Sequence, residues 1–401
     1  MQGDKKIYKC IGTVQHYAWG GHDFIPALLG LENADKKPCA EYWLGAHPSA
    51  PAKLESEGQL LSWYELMRQE PVKYLGDEVY KKFGELPYLF KVLDVKEMLS
   101  IQVHPTKEEA IKGFEREEAE NIPIDAPYRN YKDKNHKPEV MVALSDFWLL
   151  HGFKIEDDLN RTLQSIPEFS SLLPIFEKDG YYGLYKKVME FSTERADEIL
   201  TPLVKRELQT IHQKNEPGYW VNKLYANGFE GKNIDRGIFS VYFFNIVRLQ
   251  PGEAIFQGAG LPHAYLEGQN VELMANSDNV LRGGLTPKHI DVPELLKHIS
   301  FDGIKPNILY PAVSDAGEIN YALPVEDFAI SALQLQKGQE YKCTSLSSEI
   351  ILVMQGSVTA NQQQQYKRGE AFVVLPDTEY TVAATADASL LYRAFVPLKA
   401  K

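Results

Sequence analysis

Hydrophobic and polar positions change their periodicity along the chain, and each change predicts a different kind of structure. Over residues 7–146, short apolar runs at 88–93 and 99–104 are separated by proline, glycine and aspartate. This alternation is typical of strands joined by turns. Two short helices are predicted in the same region, at 62–68 and 107–118.

The pattern becomes helical between about residues 155 and 223. Apolar residues recur there at spacings of three and four, as in Leu159, Leu163 and Ile166, with good helix formers between them. A strand pattern returns at 238–247, and 293–299 predicts one more short helix. The chain is therefore expected to carry a helical insertion within a β-rich region.

The last part of the chain, from about residue 328 to 397, has the pattern of strands alone. Turn signals at Gly338, Gly356, Gly369 and Pro376 separate the runs, and the glutamine run 362–365 is interpreted as a hairpin tip. Regular spacing of this kind is typical of a small antiparallel barrel or sandwich of the jelly-roll type. The predicted fold is thus mainly β with a helical insertion. The strands predicted in this region are 329–335, 350–354, 371–375 and 390–395.

Composition narrows the class of protein. The chain has 401 residues, of which 44% are hydrophobic and 24% charged, as in ordinary globular proteins. Its net charge of −12 argues against nucleic acid or an anionic membrane as a partner. Three cysteines at unrelated spacings indicate neither a disulfide framework nor a CxxC zinc site. A polar N-terminus and the lack of long apolar runs predict a cytoplasmic protein.

Four residues on three segments have the chemistry of a metal site. Gln102 and His104 alternate on a predicted strand, so their side chains are expected on one face. Glu139 and His263 add a carboxylate and a second imidazole. Two nitrogens and two oxygens suit Zn²⁺, with Mn²⁺, Fe²⁺ and Co²⁺ as competitors, and suggest a catalytic rather than a structural metal.

A simpler interpretation of these residues stays open at this point. A buried histidine is more often a hydrogen-bonded core residue than a metal ligand. Spacing along the sequence does not by itself bring four residues from three segments together.

Three motifs extend the pattern around these residues. They are LSIQVHP at 99–105, YKDKNHKPE at 131–139 and HAYLEGQNVELMANSDNVLRGGLTPK at 263–288. Through them the chain resembles, over most of its length, the type I phosphomannose isomerases, which are zinc enzymes of the cupin class. One position departs from the family pattern: Gly283 stands where the family usually has alanine.

The resemblance implies a ligand set and a domain plan. The zinc ligands are expected to be Gln102, His104, Glu139 and His263, holding one Zn²⁺ per chain. A catalytic cupin-like β domain is expected at 1–154 and 233–310, interrupted by a helical domain at 155–232. A second cupin-like domain is expected at 311–401. No histidine follows His298, so this last domain is predicted to hold no metal.

The resemblance also implies a reaction, the interconversion of mannose 6-phosphate and fructose 6-phosphate through an enediolate. Arg282 is predicted to stabilise the negative charge that develops, although an ion pair with Asp278 would be a structural alternative. Glu272 or Asp278 is predicted to move the proton and Lys137 to hold a hydroxyl, with zinc-bound water as a further carrier.

The substrate is expected to be a small phosphorylated sugar, bound by a monomer or weak homodimer. Ser100, Lys91 and Lys288 match the positions that contact phosphate in the family. A lysine facing solvent from one side of a strand would explain Lys91 equally well. Trp19 and Glu41 are predicted to line the sugar pocket, and a core position is the alternative for Trp19.

Two other functions compete with the isomerase. An Fe²⁺-dependent cupin oxygenase could use the same ligands, but only two of the four are histidines and phosphate contacts would have no purpose. A non-catalytic cupin that binds sugar phosphates would not need Arg282. The isomerase is the favoured prediction.

Overall fold

The computed structural model describes residues 5–311, 313–314 and 316–399. A short 3₁₀ turn, Pro167–Phe169, joins the first two helices of the insertion. The α-helices in this part of the chain are α1 (Phe24–Leu29), α2 (Trp63–Gln69), α3 (Pro71–Leu75), α4 (Asp77–Phe83), α5 (Lys107–Ala119), α6 (Glu156–Ser165), α7 (Leu173–Met189), α8 (Thr193–Glu207), α9 (Pro217–Leu224), α10 (Gly237–Phe243) and α11 (Val292–His298).

The strands alternate with these helices in the first three quarters of the chain and follow one another at its end. They are β1 (Ile7–Ile11), β2 (Thr13–Gln15), β3 (Glu41–Leu44), β4 (Lys53–Ser56), β5 (Gln59–Ser62), β6 (Tyr88–Val95), β7 (Gln102–Val103), β8 (Glu139–Ala143), β9 (Phe147–Phe153), β10 (Phe244–Leu249), β11 (Ala254–Gln257), β12 (His263–Ala275), β13 (Leu281–Arg282), β14 (Ile308–Leu309), β15 (Glu318–Asn320), β16 (Ala329–Gln336), β17 (Glu340–Ser345), β18 (Glu349–Gln355), β19 (Ser357–Ala360), β20 (Gln364–Lys367), β21 (Ala371–Val374), β22 (Thr378–Ala384) and β23 (Ala388–Phe395).

The helices begin where the sequence supplies a cap. Ser62 accepts a hydrogen bond from the amide of Glu65 at the start of α2. Thr106 and Glu109 form a reciprocal capping box at the start of α5. Each cap satisfies amide groups that the first turn of a helix leaves without a partner, and so fixes where the helix starts. The helical predictions are confirmed by α2, α5 and α11 and, within the insertion, by α6 to α9.

Three layers of sheet form the β part of the molecule. Within the described residues, β17, β22, β19 and β20 make one outer layer, and β15, β16, β23, β18, β21, β1, β4 and β5 make the middle layer. The remaining strands form the third layer, in which β12 is central and pairs with β6, β7, β8 and β9. One apolar core fills the space between the first two layers, and a second core lies between the middle and third layers.

Strand β6 shows how one strand serves two environments. Tyr88, Phe90 and Val92 contribute to the core shared with the middle layer. Alternate residues point the other way, so Lys91 and Leu93 lie on the face of the third layer that is turned away from this core. Lys91 is only 7% exposed, and the alternative in which it faces solvent is therefore wrong.

The prediction of a strand at 238–247 is half wrong. Residues Gly237–Phe243 form helix α10, and the strand begins only at Phe244. Every residue of α10 is buried, including Ser240, so the helix has no exposed polar face. A run without a polar face carries neither the period of a helix nor that of a strand, and hydrophobic pattern cannot separate the two.

Strands from both ends of the chain share the middle layer. Strand β1 pairs with β21 on one side and with β4 on the other. The N-terminal segment thus contributes strands to the same sheet as the C-terminal region. The predicted domain boundaries stay a prediction, and residues 1–4 and 400–401 at their outer limits lie outside the described part of the chain. Hairpin β19–β20 places residues 361–363 at its tip, as the glutamine run predicted.

No helix in the described part of the chain is both long enough and apolar enough to cross a membrane.

A buried ion pair in the middle layer gives a test of how this sheet is stabilised. Arg393 donates from Nε and Nη2 to the two carboxylate oxygens of Glu349, at 2.7 Å each. Replacing Arg393 with leucine would leave the buried Glu349 carboxylate without its main partner. We expect Arg393→Leu to lower the free energy of unfolding by about 3–5 kcal/mol, measured by urea unfolding.

The exposed pair Arg248–Asp146 provides the matched control. Its atoms also lie 2.7 Å apart, but both side chains are about half exposed. Arg248→Leu should change the free energy of unfolding by less than about 1 kcal/mol. The double variant Arg393→Leu/Glu349→Leu should recover much of the loss, and equal losses in the Arg393 and Arg248 single variants would contradict the interpretation.

Candidate active site

A row of polar side chains crosses the third layer at the start of β12. His263 lies opposite Gln102 of β7 and opposite His151 of β9, and Gln102 lies opposite Arg282 of β13. Residues directly opposite each other on antiparallel strands project to the same face of a sheet. His263, Gln102 and Arg282 are therefore neighbours on one face, although they are far apart in the sequence.

Three of the four predicted metal ligands converge in this region. His104, Glu139 and His263 each offer one ligand atom, and these atoms lie within 4.8 Å of one another. His104 Nε2 is 3.3 Å from one oxygen of Glu139, and His263 Nε2 is 3.3 Å from the other. All three side chains are buried.

The proton positions of the two histidines follow from their other ring nitrogens. Nδ1 of His104 lies 2.9 Å from the carbonyl oxygen of Asn279, and Nδ1 of His263 lies 2.9 Å from that of Leu261. A carbonyl can only accept, so each Nδ1 carries a hydrogen and, in the neutral ring, each Nε2 presents a lone pair. Burial lowers the pKa of His104 to about 4, which keeps its ring neutral at pH 7.

The donor set fits a divalent cation. Two imidazole lone pairs face the oxygens of one carboxylate, and Nε2 of His104 has no hydrogen-bond partner among the described residues. Such groups repel one another unless a positive charge lies between them. Burial raises the pKa of Glu139, but the ammonium of Lys137 lies beside the carboxylate and helps to keep the pKa well below its usual value. Neutral imidazoles with an ionised carboxylate are a typical zinc set.

Gln102 lines the same small cavity as Glu139 and His263. Only Gln102 and Val103 of the predicted strand 99–104 form β7, and His104 follows directly after it. The role of Gln102 as a fourth ligand stays a prediction.

A buried chain of charges forms the opposite wall of this cavity. Lys91 Nζ lies 3.2 Å from Glu272 and 3.4 Å from Glu41. Burial alone would lower the pKa of Lys91, but the two carboxylates raise it above its usual value. Burial raises the pKa of Glu272, against the lowering effect of Lys91. The hydroxyl of Tyr265 donates to the second oxygen of Glu272 at 2.8 Å.

Of the other predicted catalytic side chains, Lys137 also lines the cavity, whereas Asp278 and Arg282 are not part of its described lining. Lys137 Nζ is 3.4 Å from Glu139. Asp278 pairs with His47 at 3.5 Å, and a hydrogen bond from His47 lowers the pKa of Asp278. Arg282 forms no ion pair with any described residue, so the predicted structural alternative, a pair with Asp278, is not formed.

The predicted phosphate contacts are divided between two places. Lys91 lies inside the cavity, whereas Lys288 is exposed. Burial lowers the pKa of Lys288, and the positive charges of Arg282 and Lys132 lower it further, so these three cations are close to one another. The amide of Ile101 bonds to Gly284, which brings neighbouring Ser100 beside the Arg282 segment. Trp19 is partly buried against the apolar cluster that includes Leu93 and Tyr265, and its ring stacks on that of Tyr17.

The sequence analysis did not identify Asn279, whose hydrogen bonds connect two segments of the site. Its side-chain oxygen accepts from the amides of Lys132 and Asp133, at 2.7 and 3.3 Å. Its side-chain nitrogen donates to the carbonyls of Asp133 and Asn135, at 2.9 Å each. Its own carbonyl accepts from His104. Asn279 thus links the segment before Glu139 to a predicted metal ligand. In the sequence, only its position within the long third motif indicated such a role.

Gly283, the departure from the family pattern, has a packing explanation in this chain. A Cβ atom at this position would lie 2.9 Å from the hydroxyl of Tyr185 and 3.0 Å from Cγ2 of Ile101. The glycine therefore makes room for a helix of the insertion next to Arg282.

The Asn279 network predicts an effect on metal binding. Asn279→Ala would remove the side-chain hydrogen bonds to the backbone of Lys132, Asp133 and Asn135 and release the carbonyl that orients His104. Losing partners of this kind typically weakens metal binding by about 10- to 100-fold. We expect a loss of this size in zinc affinity, measured by competition with a chromophoric chelator, while circular dichroism confirms folding.

Asn276→Ala is the control, since among the described residues the Asn276 side chain makes one long hydrogen bond, 3.4 Å to Glu85. It should bind zinc with nearly unchanged affinity. Equal affinities for the Asn279 and Asn276 variants would show that the network does not position His104.

Comparison with known proteins supports this arrangement. Residues 7–156 match the family model described as phosphomannose isomerase type I, catalytic domain. The chain is 38% identical to mannose-6-phosphate isomerase of Escherichia coli strain K12, over 94% of this chain and 97% of that protein. It is 35% identical to the Homo sapiens enzyme of the same name, over 89% of each chain.

Solved structures give the same result. A crystal structure of mannose 6-phosphate isomerase from Salmonella typhimurium, bound to substrate and zinc, superposes with a TM-score of 0.87. The two sequences are 34% identical, and the superposition covers 98% of this chain and 100% of the Salmonella typhimurium chain. The predicted mainly β, cupin-type fold with a helical insertion is confirmed. The chain belongs to the type I phosphomannose isomerase family.

Proposed function

We propose that the protein is a zinc-dependent isomerase that interconverts mannose 6-phosphate and fructose 6-phosphate. The observation that carries this proposal is the convergence of two imidazoles on one buried carboxylate, in a cavity that also contains a carboxylate–lysine pair. Membership of the family supports the choice of reaction and of substrate.

His104, Glu139 and His263, with Gln102 as a fourth ligand, would hold the zinc ion. Bound zinc supplies Lewis-acid polarisation of sugar oxygens. Gln102 shares its face of the sheet with both His263 and Arg282, which supports its assignment to the ligand set.

Glu272 is the residue that we assign to proton transfer. It lines the cavity, whereas Asp278 lies outside the cavity and is paired with His47. One carboxylate that takes the proton from C2 of the aldose and returns it to C1 accounts for the carbon-bound proton in both directions, while the hydroxyl proton passes from O2 to O1. Lys91 and Tyr265 hold the two oxygens of Glu272 in place.

The guanidinium of Arg282 provides the fixed cation beside the enediolate. It is partly buried, forms no ion pair with any described residue and lies next to Gln102. A charge that is not already neutralised is available for the negative oxygen that develops during the reaction. Lys137, near Glu139, is proposed to hold a substrate hydroxyl.

Ser100, Lys91 and Lys288 are proposed to bind the phosphorylated end of the sugar, with Trp19 and Glu41 along the sugar pocket. Glu41 and Glu272 already oppose the charge of Lys91. Lys288 lies among like charges, and an anion there would relieve their repulsion. We therefore infer that Lys288 contributes more to phosphate binding than Lys91.

The remaining features of the proposal concern the whole molecule. The catalytic unit is assigned to 1–154 and 233–310, the helical unit to 155–232 and the metal-free β unit to 311–401. We propose a cytoplasmic monomer or weak homodimer with one zinc ion per chain.

An isomerase assay tests the proposal directly. Purified protein should convert mannose 6-phosphate to fructose 6-phosphate, lose this activity with a chelator and regain it with Zn²⁺. Elemental analysis of the same sample should give about one metal per chain. Binding without turnover would favour the sugar-phosphate-binding alternative, and oxygen consumption would favour the oxygenase.

The role of Glu272 has a sharper test. Glu272→Gln should lower kcat by at least about 100-fold with a smaller change in KM, because general base catalysis contributes that much. Asp278→Asn, which changes the same chemical group outside the cavity, is the control and should lower kcat much less. The assignment is wrong if Glu272→Gln keeps wild-type turnover at saturating substrate.

A further inference from the structure

A second, larger cleft of about 420 Å³ lies where the helical insertion meets the third layer. Helix α6 and strand β10 form its sides, and residues at the start of α9 complete it. Its described lining contains none of the residues assigned above to catalysis, metal or substrate binding. The lining is mainly polar and includes Lys154, Asp158, Arg161, Thr162, Ser165 and Asn215.

Lys154 is the unusual residue of this cleft. Its ammonium donates to the hydroxyl of Thr162 at 3.1 Å, and it forms no ion pair with a carboxylate among the described residues. Burial lowers its pKa to about 8, and the charge of Asp158 only partly opposes that effect. An amine whose charge is disfavoured by burial gains most from an anionic ligand.

The neighbours of Lys154 leave the cleft open to an anion. Arg161 hydrogen-bonds to the carboxylate of Asp158, so the negative charge closest to the cleft is already neutralised. The hydroxyl of Thr162 donates to the carbonyl of Asp158 at 2.9 Å, which fixes its position beside the ammonium. Ser165 and Asn215 add neutral hydrogen-bonding groups. Lys154 has no carboxylate partner among the described residues and lies near neutral hydrogen-bonding groups, which is a suitable setting for a small oxyanion.

The cleft is connected to the candidate active site through β9. Lys154 directly follows this strand, and Asn245 in the cleft lining donates to the carbonyls of His151 and Phe153, at 3.1 and 2.9 Å. His151 lies opposite His263 on β12. A ligand at Lys154 would therefore be bound at the end of a strand that supports the metal site.

We propose that this cleft binds a small phosphate, either free or as the monoester of a metabolite, with Lys154 as its anchor. The site is separate from the sugar-phosphate site and does not depend on the proposed isomerase activity.

Protection from chemical labelling tests the site in the zinc-loaded protein. Brief acetylation followed by mass spectrometry gives the labelling rate of each lysine. Inorganic phosphate, or glycerol 3-phosphate, should slow the labelling of Lys154 by the factor 1 + [L]/Kd. The exposed Lys178 should be labelled at an unchanged rate. Protection by only one of the two probes identifies the source as free phosphate or as an ester.

Sodium chloride and citrate, at matched ionic strength, are the control anions. The proposal is overturned if neither phosphate compound protects Lys154, or if chloride or citrate protects it equally well.

Two variants separate binding from folding. Lys154→Met should remove one phosphate-binding event in calorimetric titration, or weaken it by roughly tenfold or more, while isomerase turnover is retained. Thr162→Val keeps the ammonium and should bind phosphate within a few-fold of the wild type. Thermal melting verifies that both variants fold. Unchanged phosphate stoichiometry and affinity in Lys154→Met would exclude the site.

Discussion

Everything in the candidate active site depends on two backbone carbonyls. Those of Asn279 and Leu261 accept from the Nδ1 atoms of His104 and His263 and so direct both Nε2 lone pairs at Glu139. If either ring carried its proton on Nε2, this nitrogen would donate a hydrogen bond to the carboxylate. It would then have no lone pair with which to bind a metal. The sheet and loops therefore set the proton positions as well as the atomic positions of the site.

The surrounding architecture explains how such a site is kept rigid. Strand β12 carries His263, Tyr265 and Glu272 and pairs on both sides, so none of these residues lies on an edge strand. Behind it, the shared core ties the third layer to the middle layer. Charged groups such as Lys91 and Glu272 can be buried because each faces an opposite charge at short distance. Catalytic precision of this kind requires support from the whole sheet.

The sequence was most informative where a periodic pattern or a motif indicates a structure directly. The apolar spacing of the insertion predicted its helices, and the apolar runs near the C-terminus predicted four of the eight strands between residues 329 and 395, namely β16, β18, β21 and β23. The motifs identified His104, Glu139 and His263, which do converge. Pattern failed at α10, whose residues are all buried and therefore carry no periodicity. It also missed Asn279, because its role depends on contacts with residues more than 140 positions away, and a single asparagine carries no local signal for them. The partners of Lys91 were hidden for the same reason.

The sheet shared by the two ends of the chain has a consequence for synthesis. Residues 7–10 of β1 pair with residues 371–374 of β21, so this pairing can form only after the long intervening chain has been synthesised. Until then β1 can pair with β4 alone, and the backbone groups on its other side are exposed. Completion of the middle layer therefore waits for the synthesis of β21, and a product terminated before this strand would be a target for chaperones and proteases.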